Sequence, residues 1–233
     1  MGGIMSNQKN NYHNDWSQNI SNIEEKLVLA KKVAEFVKDG DVIGFGSGST
    51  SLLALKEIAN KVTSQNLKIT AIPTSAIIRE ECIKNGIAVS TVDEITPNWG
   101  FDGADEVDGN NWLIKGRGGA MYSEKMVMLK SPKTYILVDK SKFVSKLGDK
   151  CLLPIEVKIE QYVEVQQSLK ELGAVEISLR YEKENKPYIT EHGNYILDCR
   201  FVEIYSALEQ DLKSVPGVVE SGLFIGYNIE ILK

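Results

Sequence analysis

Helical and strand patterns alternate from Ile23 to Asp139, and the pattern changes near Leu147-Gly148-Asp149. These two observations predict an α/β protein: a mainly parallel sheet flanked by helices, with a smaller α+β unit attached. A third observation locates the chemistry. Glycines, hydroxyls and acids gather where the strands end, the edge at which open α/β sheets bind ligands.

Leu27, Ala30, Val33, Ala34 and Val37 recur at helical spacing, and Asp39-Gly40 ends the run. Asp41 to Gly46 reads as a short buried strand, Ser47-Gly48-Ser49-Thr50 as a turn, and Ser51 to Val62 as a second helix. Leu67 to Ile72 is a strand closed by Pro73. A helix through Ile77, Ile78, Glu81 and Cys82 follows, then a third strand over Ile87 to Val92. Trp99 to Ala104 ends a fourth strand and Thr134 to Asp139 is a fifth, giving a Rossmann-like mainly parallel sheet.

Beyond Gly148, Leu152 to Val157 reads as a strand, Tyr162 to Leu172 as a helix, and Ala174 to Arg180 as a strand. Tyr188-Ile189-Thr190 and Asn194 to Asp198 read as strands around a His192-Gly193 turn, and Ile204 to Leu212 as a helix. This β-α-β-β-α order predicts an α+β ferredoxin-like domain over 148–223. The main domain then comprises 22–147 plus 224–233, with Tyr227 to Leu232 returning to its sheet. Residues 1–21, rich in Asn, Gln and Ser, are expected to be disordered or loosely packed, with Trp16 able to pin them.

The 233 residues can bury a sizeable core, and 42% hydrophobic with 25% charged residues is ordinary for a globular protein. A net charge of −5 gives no global pull toward nucleic acid or an anionic membrane, so an anionic ligand needs a local device. Cys82, Cys151 and Cys199 form no CxxC pair, which favours a reducing, cytoplasmic setting. With only His13 and His192, no zinc site is expected.

Gly46-Ser47-Gly48-Ser49-Thr50 lies between a strand and a helix, where backbone N–H groups and the helix N-terminus suit a phosphate. No GK[ST] follows, so it is not a nucleotide P-loop. Its plainer reading is a tight turn with a Ser cap. Thr74 and Ser75 close the next strand on the same edge and favour the phosphate. Asp102 and Asp105 flank Gly103-Ala104, Lys115 leads a glycine-rich turn, and Glu124 starts the following helix. Carboxylates beside a lysine suit acid–base work. Singly, the aspartates read equally well as Asx turns and Glu124 as a solvated first-turn residue. Burial would raise the Glu124 pKa and the helix N-terminus would lower it, and the sequence leaves that sign open.

These segments, with Asp139-Lys140-Ser141-Lys142 and Leu153 to Val157, resemble type A ribose-5-phosphate isomerases from about Glu24 onward. The tandem of Phe101 to Glu106 and Lys115 to Ala120 with Glu124-Lys125 is the specific part. The resemblance implies interconversion of D-ribose 5-phosphate and D-ribulose 5-phosphate without cofactor or metal, in a homodimer or homotetramer. It implies Glu124 as base, with Asp102, Asp105 and Lys115 around the reacting oxygens. Lys26, Ser47, Gly48, Ser49, Thr50, Thr74, Ser75 and Lys142 would hold the sugar phosphate, and the amides of Gly116, Arg117, Gly118 and Gly119 would face the oxyanion. Three departures stand out: Ser47 where some relatives carry Thr, Arg117 interrupting three glycines, and Glu191-His192-Gly193-Asn194 for Asp-Asn-Gly-Asn.

Three competing readings fit less well. An amino-sugar phosphate isomerase/deaminase leans on a catalytic His, and no His lies in the central motifs. A sugar-phosphate sensor needs a DNA-binding helix-turn-helix, for which the polar N-terminal stretch is too short. A Lys115 Schiff base would be trapped by borohydride, and no adduct is expected.

Overall fold

The computed structural model describes residues 20–182 and 185–233. The expectations for the first nineteen residues, Trp16 included, lie outside them; Ile20 already packs against the main core.

Numbered in chain order, β1 (Val42–Phe45), β2 (Thr70–Pro73), β3 (Ala88–Val89), β4 (Trp99–Gly103), β7 (Thr134–Leu137) and β13 (Ile229–Leu232) form one sheet. Its order is β13-β7-β4-β1-β2-β3 and every pairing is parallel. Such a sheet must be covered on both faces. On one face Ile43, Phe45 and Phe101 join the buried stripes of α1 (Ile23–Glu35), α2 (Gly48–Gln65) and α3 (Ala76–Lys84) in the main core. Phe45 and Phe101 meet edge to face, 4.8 Å between centroids. Burying each such ring stabilises the fold by about 1.5–3 kcal/mol. Lys61 reaches from α2 to the Ala34 and Glu35 carbonyls, satisfying the last turn of α1.

The other face receives α4 (Met121–Lys130). Side chains alternate along a strand, so Gly44 sits opposite the Phe45 side. A Cβ on Gly44 would lie 2.4 Å from Val127 Cγ1. The missing side chain lets α4 approach the sheet and brings Glu124, one turn earlier, toward the end of β4.

β8 (Leu153–Val157), β9 (Ala174–Leu179), β10 (Tyr195–Phe201) and β11 (Val218–Ser221) form an antiparallel sheet of order β11-β8-β10-β9. With α5 (Tyr162–Glu171) between β8 and β9 and α6 (Leu208–Ser214) between β10 and β11, this is a split β-α-β arrangement with its own buried cluster.

Several elements differ from the sequence expectation. The third strand shortens to two residues at the sheet edge, where pairing on one side alone supports it. Tyr188-Ile189-Thr190 is not a strand. Proline cannot donate to a ladder, and around Pro187 pairing is reduced to one bridge with Tyr181. Glu191 and His192 instead reach α3 and α4: Glu191 accepts from the Ala76 amide and His192 Nε2 meets Ser123 Oγ. A third small sheet, β12-β6-β5, was not expected; it comprises β5 (Glu106–Val107), β6 (Leu113–Ile114) and β12 (Leu223–Phe224). It turns Glu106 fully inward, where the carboxylate accepts the amides of Gly148, Lys150 and Cys151, each at 2.6 Å.

Candidate active site

Asp102 is the penultimate residue of β4, inside the strand rather than in the turn the sequence suggested. It points to the α4 face, and Gly46 makes room for it: a Cβ there would stand 2.1 Å from Asp102 Cγ. Lys115 follows β6, and Glu124 lies in the first turn of α4. Three segments thus meet at one point. Lys115 Nζ lies 2.9 Å from Asp102 Oδ2 and 3.2 Å from Glu124 Oε2, and donates to the Gly103 carbonyl at 2.5 Å. The three side chains are 3–6% exposed.

One ammonium between two carboxylates leaves a surplus negative charge in a place that resists charge. Burial, followed by the Asp102 charge, pushes Glu124 up to about 8, against the pull of Lys115. Burial also raises Asp102, against Lys115 and the Gly103 amide. Burial opposes the charge on Lys115, but Asp102 and Glu124 outweigh it and hold its pKa above the ordinary lysine value. Burial therefore wins the sign left open for Glu124 over its helix N-terminus. Glu124 Oε2 accepts no hydrogen bond among the described residues. A carboxylate that titrates near neutrality and keeps a free lone pair is equipped to take a proton. A small buried crevice beside it is lined by Gly46, Thr74, Asp102 and Glu124.

The hydroxyl-rich turns converge nearby. Ser47 Oγ and Thr74 Oγ1 are 2.7 Å apart, and Thr74 also donates to the Phe45 carbonyl. α2 starts at Gly48, earlier than expected, so Ser49 and Thr50 belong to its first turn. Ser47, its N-cap, makes no side-chain cap bond, so the opening amides of α2 remain for an anion. Ser75 is occupied differently: its hydroxyl caps α3 by accepting from Ile78. Lys26, buried on α1, reaches Ser49 Oγ at 3.4 Å. Burial lowers its pKa; Asp139 offsets this, and Lys142, in the short 3-10 helix Lys140–Lys142, adds to it. An arriving phosphate would relieve both lysines.

The glycine turn is less uniform than expected. Only part of it can serve an oxyanion: the Arg117 amide is taken by Asp105 Oδ2 at 3.2 Å, and the Gly119 amide by the Gly116 carbonyl at 3.0 Å. The amides of Gly116 and Gly118 have no such partner among the described residues. The Arg117 side chain is exposed at the rim. His192 is a turn residue whose Nε2 lies 3.0 Å from Ser123 Oγ. Sequence reasoning placed Gly46 in the phosphate turn but missed that it clears space for Asp102, and it missed the residues that reach the glycine turn from beyond β9, Arg180 and Tyr188. Local sequence carries no mark of either, because both act across long separations. Among the described residues no cluster of His, Cys, Asp and Glu is arranged to hold a metal ion.

The ribose 5-phosphate isomerase A (phosphoriboisomerase A) family model matches residues 70–232. Ribose-5-phosphate isomerase A of Methanocaldococcus jannaschii is 39% identical over 208 residues, 88% of this chain and 92% of its own. That of Gloeobacter violaceus is 40% identical over 205 residues, 86% and 88% of the two chains. The M. jannaschii structure superposes with a TM-score of 0.86 over 91% of this chain and 95% of its own. A D-ribose-5-phosphate isomerase in complex with phospho-erythronic acid, 33% identical, gives 0.85 over 90% and 94%. The chain belongs to the ribose 5-phosphate isomerase A family.

Proposed function

We propose that Glu124, Lys115, Asp102 and Asp105 carry out in this chain the family's reaction, the interconversion of D-ribose 5-phosphate and D-ribulose 5-phosphate in the pentose phosphate pathway. The observation that carries this reading is the buried Lys115 ammonium between Asp102 and a Glu124 raised to about 8.

Aldose–ketose isomerisation moves a proton between C2 and C1 through an enediolate. Glu124, whose carboxylate has Lys115 as its ion-pair partner and no amide donor among the described residues, takes the C2 proton and returns it to C1 on the same face. Negative charge develops on the substrate oxygen as the proton leaves. Lys115, already charged and held by two carboxylates, stabilises that charge without reorganising, joined by the Gly116 and Gly118 amides. Asp102 and Asp105 move the hydroxyl protons and assist ring opening. The N-terminus of α2, with Gly48, Ser47, Ser49, Thr50 and Thr74, grips the phosphate, and Lys26 and Lys142 neutralise it. Ser75 contributes by capping α3. The phospho-erythronic acid bound by a structural neighbour supports this reading: it joins a phosphate to a planar carboxylate shaped like an enediolate.

The resemblance also suggests a homodimer or homotetramer, which sedimentation would read. No helix among the described residues is long and apolar enough to cross a membrane, and three free cysteines favour the cytoplasm. The deciding experiment is a coupled assay for ribulose 5-phosphate formation in chelator. Turnover is expected to persist, because the acid–base groups suffice for the proton transfer. No turnover with ribose 5-phosphate would reject the reading.

A further inference from the structure

Arg180 stands just past β9, more than sixty residues from the glycine turn, yet its guanidinium ends on that turn. Nη1 donates to the Gly116 carbonyl at 3.1 Å and to the Arg117 carbonyl at 2.9 Å. The other side of the guanidinium is fixed by Asp198 of β10, through Nε at 2.8 Å and through Nη2. Tyr188 continues the series by donating to the Gly118 carbonyl at 3.1 Å, and its ring lies 5.9 Å from the guanidinium carbon. Three consecutive carbonyls of the turn are therefore held by the antiparallel unit.

A trans peptide holds its C=O and N–H in one plane, pointing in opposite directions. The Gly116 carbonyl and the Arg117 amide share one such plane. Its oxygen takes Arg180; its N–H donates to Asp105 Oδ2 at 3.2 Å. The next plane holds the Arg117 carbonyl against Arg180, so the Gly118 amide is turned away from the guanidinium. A cation on each carbonyl also polarises the peptide and strengthens the N–H as a donor.

We infer that Arg180 is a positioning residue for the isomerisation: anchored by Asp198, it acts through the Gly116–Arg117 peptide to fix Asp105 and orients the Gly118 amide. Arginine suits the task because its planar fork meets two carbonyls and a carboxylate together; a lysine ammonium has no such fork. The inference rests on the role proposed above for Asp105.

The test compares Arg180→Met and Arg180→Lys with the wild-type enzyme in kcat, KM for ribose 5-phosphate, inhibition by inorganic phosphate, and Tm. Misplacing a catalytic group by about 1 Å costs up to about 10²-fold. Arg180→Met is therefore expected to lower kcat roughly tenfold to a hundredfold. KM and phosphate inhibition should hold, because the phosphate grip lies on other elements. Arg180→Lys should recover only part of kcat. Asp198→Asn, which keeps the arginine but loosens its anchor, should show a smaller fall of the same kind. An unchanged kcat in Arg180→Met overturns the inference. So does a joint fall of kcat, phosphate affinity and Tm, which would make Arg180 a structural staple. Asp105→Asn separates the two levels: full activity there rejects the proposed role of Asp105, whereas an inactive Asp105→Asn with an indifferent Arg180→Met rejects the positioning alone.

Discussion

Glu124 and Lys125 are neighbours on α4, and each belongs to a buried trio of one lysine and two carboxylates. Lys115 sits between Asp102 and Glu124; Lys125 sits between Glu209 and Glu220, at 2.7 and 2.9 Å. The second trio has a further cation within reach, Lys213 at 2.8 Å from Glu220 Oε2, and the behaviour is opposite. Around Lys125 everything is paired: its ammonium also donates to the Ser221 and Leu223 carbonyls. Glu220 accepts further from Lys213 and the Ser221 amide, and Glu209 from the Ile225 amide and the Tyr227 hydroxyl. Burial works to raise Glu220, but Lys125 and the extra donors win and its pKa is lowered. Glu124 lacks those donors, and its pKa rises to about 8. A second cation and a fuller set of donors separate the cross-brace from the carboxylate proposed as the base.

The strongest way to break this comparison is to remove Lys125. Lys125→Met leaves half-buried Glu209 without its cation and buried Glu220 with Lys213 alone, and should cost up to about 3–5 kcal/mol of stability. Urea unfolding at neutral pH measures it; a loss under 1 kcal/mol, the range of an exposed pair, would mean that the trio is no brace.

Next in size is Glu124→Gln. Loss of a general base lowers kcat at least about a hundredfold, with KM less affected. That corresponds to about 2.7 kcal/mol of barrier. Near wild-type kcat would reassign the proton transfer to another residue.

The smallest effect sharpens the contrast through pH. The folded-state pKa of Glu124 lies above its unfolded value, so its stabilising contribution is complete below about 4.5 and lost as pH rises through about 8. Glu124→Gln has no such titration. Its Tm relative to wild type should therefore improve between pH 6 and pH 9, by roughly 2–4 °C for each kcal/mol recovered. A pH-independent difference would show that Glu124 ionises freely in the fold.

The parallel sheet was legible because its first two strands are short apolar runs closed by Gly46 and Pro73 and followed by helical stripes. The site was legible as a set of segments, since hydroxyls and acids collect at strand ends. Which acid does what was not. Asp102, Asp105, Glu106 and Asp108 look alike in sequence, yet Glu106 holds three loop amides and Asp108 accepts the amides of Asn110 and Trp112. The partners of Asp108 are local, but those of Asp102, Asp105 and Glu106 include elements whose placement only the folded chain fixes. The same is true of Lys125, which the motif lists beside Glu124 as though the pair shared one task. Tyr188 was misread because its neighbours have strand-like side chains, while its hydroxyl is held by a turn seventy residues away.

Gly46 carries a practical consequence. The volume a methyl group would claim there already belongs to Asp102, so the floor of the cleft tolerates no enlargement at that residue. Arg117 faces water at the rim. Anyone seeking to recast which sugar this enzyme accepts should randomise the rim and leave the floor untouched.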